Sequence, residues 1–240
     1  MKTYKVAILG ATGAVGQEMI KILMERSFPS ARSAGKKLTI ADKEYIVEET
    51  TENSFDGMDI VLGAAENDIA EKYLPIAAEK GAVVVDNSSA FRLDEQVPLI
   101  IPEVNPQAVR EHHGIIANPN CATIIALVAL QPLHAYANAK RMVVSTYQAV
   151  SGAGVNGIRE LNQQVGSLAH GKEVAVNTFQ YQIAYNLIPQ IGGFNEAGYS
   201  SEEMKMQNEG RKIMSNPELC VNCTCVRVPV IRSHSESIMV

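Results

Sequence analysis

The chain has 240 residues, with 21 Lys and Arg against 26 Asp and Glu, for a net charge of −5. That balance excludes the clustered basic excess a nucleic-acid surface needs, and 46% hydrophobic with 20% charged residues excludes disorder as the main state. At roughly 150 residues per domain the length implies one or two domains.

The most apolar stretch, Cys121 to Leu130 with only Thr123 interrupting it, is too short for a bilayer span, which takes about 20 residues. The first residues, MKTYKVAILG, reach glycine too early for a signal peptide. Four cysteines lack the density of a secreted disulfide scaffold. These features lead us to expect reduced thiols, a cytoplasmic location and no membrane partner.

In chain order, YKVAIL (4–9) reads as a strand, followed by a glycine-rich turn and a helix from about Val15 to Glu25. DIVLGAA (59–65) and AVVVDNS (82–88) are strands flanking a helix, and LIIPE (99–103) and GIIANPN (114–120) continue the pattern. CATIIALVALQPLHAYA is the next helix. Apolar strands alternating with helices predict a doubly wound, Rossmann-type α/β domain over residues 1–122.

Beyond it, RMVVSTYQAVSG (141–152) reads as a long strand, and 155–169 and 202–214 as helices. FQYQIAYNLIPQIGGFNEAGYSS reads as loop, and VNCTCVRVPVIRSHSESIMV alternates like a sheet with one solvated face. Residues 123–240 are therefore expected to form a second domain, of α+β type.

Three constellations carry chemistry. In GATGAVG, Gly10, Gly13 and Gly16 follow a strand and open a helix, where backbone N–H groups can receive a pyrophosphate. The spacing is GxxGxxG rather than the commoner GxGxxG, so an ordinary strand-to-helix turn is the plain alternative. Some 20 residues on, where an NAD enzyme places a carboxylate against the ribose, the chain has Ser30-Ala31-Arg32-Ser33-Ala34-Gly35-Lys36-Lys37. Cations and a hydroxyl suit the 2′-phosphate of NADP; the alternative is a solvated basic loop.

In NPNCAT, Asn120 is a good N-cap and places Cys121 in the first turn of an apolar helix, where the dipole favours thiolate. Buried cysteines are usually inert, yet this one follows a strand's carboxyl end, where α/β sheets place ligands. Arg227 and His234 form the third group. Seven apart on one strand they would face opposite ways, so a bend at Pro229 is needed to bring them together. Spacing alone does not make them a catalytic pair.

Taken together, GATGAVG, DNSSAFR, PEVN, NPNCAT, STYQAVSGAG, YQIAYNLIPQI, EEMKM and CVRVPVIRSHSES resemble the bacterial aspartate-β-semialdehyde dehydrogenase family, in order along the whole chain. The resemblance implies NADP- and phosphate-dependent interconversion of L-aspartate 4-semialdehyde and 4-aspartyl phosphate through a cysteine thioester. This reaction lies on the route to lysine, threonine and methionine. It implies Cys121 as nucleophile, His234 as acid–base group and Gln148 as the residue orienting the acyl intermediate. Arg227 would grip the substrate carboxylate, Glu202 would meet its amino group, and Lys205, Arg92 and Asn120 would meet phosphate. The cofactor set would be Gly10, Thr12, Gly13, Ala14, Val15, Gly16, Arg32 and Ser33, in a homodimer with no metal.

The resemblance makes residues 123–240 the catalytic and dimerisation domain. Against the family pattern, a short segment carrying a second strand is missing near Pro29, and relatives continue well past Val240, so that domain is expected to be incomplete. Rival readings are an N-acetyl-glutamyl-phosphate reductase-like enzyme, a catalytically silent NADP-binding fragment, and a zinc module on Cys220, Cys223 and Cys225 with His234 as fourth ligand.

Overall fold

A computed structural model describes residues 4–25, 34–40 and 43–240, and it divides into two compact units, Met1–Pro119 and Asn120–Val240.

The first unit is built on a parallel sheet in the order β1-β4-β5-β6, from β1 (Val6–Leu9), β4 (Ile60–Gly63), β5 (Val83–Asp86) and β6 (Ile115–Ala117). Both sheet faces are covered, which is why its strands read as near-continuous apolar runs. Ile8 and Leu62 pack on one face with Met19, Ile20 and Leu23 of α1 (Ala14–Glu25). On the other face Leu9, Val61 and Val84 pack with Ala70, Leu74 and Ala77 of α2 (Asn67–Glu79). This is the doubly wound arrangement expected.

Two segments differ from the sequence reading. Residues 99–103 do not form a strand: Leu99 makes a single bridge to Ala117, and the chain then turns. The Asn105 side chain takes over the backbone there, accepting from Ile101 N–H and donating to Leu99 C=O, while Pro102 has no N–H to offer a ladder. Residues Ala34–Lys37, the end of the segment read for the NADP 2′-phosphate with a solvated basic loop as the alternative, begin β2 (Ala34–Ile40), which pairs antiparallel with β3 (Lys43–Glu48) in a separate two-stranded sheet. Among the described residues β1 is paired only with β4, so no second strand flanks it.

The second unit centres on β7 (Arg141–Gln148), parallel to β8 (Cys220–Arg227) on one side and antiparallel to β9 (Ser235–Met239) on the other. The single long alternating stretch of the sequence is thus two strands. Pro229 interrupts the ladder, and Val230 and Ile231 carbonyls are taken by the N–H groups of Val150 and Ser151. α3 (Cys121–Ala137) packs on β9 and on α5 (Ser201–Ile213), which packs on β8.

α4 (Gly154–Ala169) buries Val150 and Leu161 with Ile183, Ala184 and Ile188 of the long loop. Gln164 Oε1 accepts from the Ile183 and Ala184 N–H groups, and Glu160 accepts from Asn177 and Thr178. That loop therefore needs no strands of its own to be held.

Candidate active site

In the first unit the glycine loop sits at the carboxyl end of β1. Gly10 has φ +82°, and a Cβ there would lie 2.5 Å from the Ala64 carbonyl oxygen. A Cβ on Gly16 would lie 2.4 Å from the Gly10 carbonyl oxygen, so only glycine lets α1 begin this close to the turn. Gly13 N–H donates to Gly10 C=O at 3.0 Å, and Gln17 Nε2 holds the Thr12 carbonyl at 3.0 Å. Thr12 and Val15 are exposed beside the half-buried Gly13 and Ala14. This is a backbone cradle open to a phosphate at a helix start, and it fits a dinucleotide. Arg32 and Ser33 lie outside the described residues.

Arg92 also belongs to this unit. It is 7% exposed, with Nε donating to Asn118 C=O and Nη2 to Asn87 C=O, both at 3.0 Å. Asn118 Nδ2 meets Asn87 Oδ1 at 2.7 Å. These bonds tie together the chain leaving β5 and the chain leaving β6.

The second unit gathers the other expected residues. Asn120 caps α3, its Oδ1 accepting from Ala122 N–H (3.0 Å) and Thr123 N–H (3.3 Å), and Cys121 is the exposed first residue of that helix. Gln148 ends β7 almost fully buried. Its Oε1 accepts from Thr146 Oγ1 and its Nε2 donates to Glu202 Oε1 at 3.0 Å.

Glu202 is the hub: Oε1 also accepts from Asn120 Nδ2 (2.8 Å), and Oε2 receives Lys205 Nζ (3.1 Å). Burial pushes this carboxyl upward, but Lys205 and the bonds from Gln148 and Asn120 outweigh it and leave it below the usual carboxylate range.

Arg227 and His234 meet at one residue. Arg227 Nη1 donates to Ala149 C=O at 2.7 Å, and Ala149 N–H donates to His234 Nδ1 at 3.0 Å. The turn through Pro229 supplies the bend the sequence required. Burial first, then Arg227, holds the His234 imidazole below its ordinary value, with Glu202 opposing. With Nδ1 accepting, the neutral ring carries its proton on Nε2. Burial also lowers Arg227, against Glu202, Cys121 and Cys225, which favour its charge. The sequence left this pair undecided, and the fold unites it.

The geometry does not assemble the zinc module. Cys223 and Cys225 face the core with sulfurs 3.4 Å apart, while Cys220 is exposed, an odd number of residues from both. Among the described residues no three His, Cys, Asp or Glu side chains are placed to hold a metal. The hydrogen bond to Cys225 and burial push the Cys223 thiol up, so it stays protonated.

Sequence reasoning missed Glu209, Thr146 and Glu236. Glu209 is 1% exposed and its Oε2 accepts the Asn120 backbone N–H at 2.7 Å. The signal was present: Glu202, Met206, Glu209 and Ile213 repeat at i, i+4, i+7 and i+11, which puts two carboxylates on the buried stripe of α5. Glu236 on β9 pairs with Thr146 across the sheet, and both its carboxyl oxygens are buried without a partner among the described residues.

Residues 5–112 match a family model described as the semialdehyde dehydrogenase NAD binding domain, and residues 130–240 one described as the semialdehyde dehydrogenase dimerisation domain. An aspartate-semialdehyde dehydrogenase of Aquifex aeolicus is 50% identical over 98% of this chain and 73% of its own length. This chain belongs to the aspartate-semialdehyde dehydrogenase family. The crystal structure of aspartate semialdehyde dehydrogenase II complexed with ASA from Vibrio cholerae superposes with a TM-score of 0.96 at 45% identity, covering 99% of this chain and 74% of that one. An aspartate semialdehyde dehydrogenase with NADP from Candida albicans superposes at 0.72 and 26% identity, over 99% of this chain and 71% of that one. The sequence motifs had named the same family, and these relatives favour it over the N-acetyl-glutamyl reading. No helix among the described residues is long and apolar enough to cross a membrane.

Proposed function

We propose that this chain catalyses the NADP- and phosphate-dependent interconversion of L-aspartate 4-semialdehyde and 4-aspartyl phosphate, with Cys121 as nucleophile. The observation that carries the reading is a pair of hydrogen-bonded groups that meet at the consecutive residues Gln148 and Ala149. The residue before Cys121 is bound to Glu202, Glu202 to Gln148 and Lys205, and Arg227 and His234 share Ala149.

The Cys121 thiolate adds to the aldehyde carbon, forming the sulfur–carbon bond as the carbon–oxygen π bond opens. His234, which the family resemblance makes the acid–base group, is neutral with its proton on Nε2 and in that form donates a hydrogen bond to that oxygen as negative charge develops, rather than taking the thiol proton. NADP, when bound, supplies the two-electron acceptor that turns the hemithioacetal into a thioester. Gly10, Thr12, Gly13, Ala14, Val15 and Gly16 would hold its pyrophosphate on the loop, and Arg32 and Ser33 its 2′-phosphate. Phosphate then attacks the thioester carbonyl, the acyl–oxygen bond forms, and Cys121 leaves again as thiolate.

Arg227 supplies the planar cationic grip for the substrate carboxylate and Glu202 the negative partner for its amino group. Gln148 orients the acyl group, and Lys205 and Arg92 bring positive charge to phosphate, beside Asn120. A homodimer and a cytoplasmic location complete the reading; the match to a dimerisation domain supports the first.

The test is NADPH formation by the 240-residue chain from aspartate semialdehyde, with and without phosphate, beside Cys121→Ala. Turnover that needs both phosphate and Cys121 is expected, with Cys121→Ala at background. A folded chain with no turnover would overturn the enzymatic reading and leave a silent nucleotide-binding protein.

A further inference from the structure

The nucleophile's helix begins at a residue held from three directions. Asn120 Oδ1 accepts from the Ala122 and Thr123 N–H groups, its Nδ2 donates to Glu202 Oε1, and its backbone N–H donates to Glu209 Oε2. Both carboxylates come from α5, seven residues apart and so on one face, and both are buried, at 6% and 1% exposure. The two grips do different things. Glu202 fixes which end of the Asn120 amide faces the helix, because a carboxylate can only accept and so demands the Nδ2 side. Glu209 fixes the backbone on which that amide and Cys121 are carried.

A buried carboxylate is expensive unless its bonds are made. Met206 and Ile213 show what the same stripe of α5 otherwise holds, and an apolar residue at 209 would pack there without that desolvation cost. The charge at 209 is therefore retained for something an apolar side chain does not do. The structure shows what: an N–H one residue ahead of the thiol is given an acceptor at 2.7 Å by a carboxylate 89 residues further along the chain.

We propose that Glu209 is a positioning residue for Cys121, acting through the Asn120 backbone N–H to hold the start of α3 in the geometry that makes the thiol reactive. The proposal rests on the reading of Cys121 as nucleophile, but its test does not need turnover.

Glu209→Gln keeps an acceptor oxygen in place and removes the charge, whereas Glu209→Leu removes both, so their comparison isolates the hydrogen bond. The full chain of each variant is treated with iodoacetamide, and modification of Cys121 is followed peptide by peptide by mass spectrometry. The Leu variant is expected to react more slowly than the Gln variant by about fivefold, the factor a lost N-cap interaction typically gives. In turnover the same factor should fall on kcat, with KM held within about twofold and the Gln variant restoring the rate. Equal alkylation of the two variants would overturn the proposal.

Should the Leu variant not fold, hydrogen exchange of the Asn120 amide in the unaltered chain decides. Exchange as slow as in the interior of α3 supports the clamp, and exchange at an open loop's rate overturns it. A chain that never turns over yet shows the Gln–Leu difference would sink the enzymatic reading alone. An active chain without the difference would sink only the clamp.

Discussion

Arg227 shows how much one side chain can be asked to do. It is 7% exposed, its Nη1 is committed to the Ala149 carbonyl, and burial works against its charge while Glu202 and Cys121 sustain it. A guanidinium suits the proposed role because one arm can anchor to the backbone while the rest of the planar fork is left for a carboxylate. Lysine has a single point of charge and cannot do both. Arg227→Lys is therefore expected to raise KM for aspartate semialdehyde by about tenfold or more, with kcat changed far less, since the grip acts on bound substrate and transition state alike. Steady-state kinetics at saturating NADP and phosphate check this. An unchanged KM with a collapsed kcat would move Arg227 from substrate grip to chemistry.

At the scale of elements, the glycine loop ties a strand to a helix through contacts that tolerate no side chain. A Cβ on Gly16 would sit 2.4 Å from the Gly10 carbonyl oxygen and 2.7 Å from the Ala11 Cα, both backbone atoms with no freedom to move aside. Gly16→Ala must therefore push α1 away from the turn. It is expected to lower stability by about 1–3 kcal/mol, the usual cost of overpacking, and to weaken NADP binding with it. Urea unfolding and NADP titration of the same variant check the pair of effects; an undisturbed affinity would show that the loop does not carry the pyrophosphate.

Much of this was legible because period and punctuation agree: strands β1, β4, β5 and β6 and helices α1, α3, α4 and α5 stand where the pattern put them. What escaped was settled by side chains reaching backbone. Asn105 satisfied 99–101 and made the strand read there unnecessary. Motifs named candidate residues, but the convergence of Arg227 and His234 on Ala149, and of two α5 carboxylates on Asn120, is tertiary and has no spacing to read.

Across the whole molecule, buried ionisable groups set how stability responds to pH. Glu202 lies below its ordinary value of 4.5, so it contributes stability above that pH and loses it as pH falls further. His234 lies below 6.5, so in acid the unfolded chain takes up the proton first and folding loses ground as pH drops through that value. Both losses fall on the acid side.

Glu236 works in the opposite direction. Burial alone raises it to about 7, so its contribution is complete below 4.5 and is lost as pH rises to about 7, where the unfolded chain has long been ionised. Its carboxyl oxygens have no partner among the described residues, so a neutral isostere forfeits no hydrogen bond. Glu236→Gln is therefore expected to stabilise the protein at pH 8 by on the order of 1 kcal/mol, once the shift is discounted for the partial exposure of the residue, and to change little at pH 4.5. Urea unfolding at the two pH values checks it. A gain of equal size at both would mean that packing, and not the proton, accounts for the difference, and would remove Glu236 from the set of groups that bound the stability range on its alkaline side.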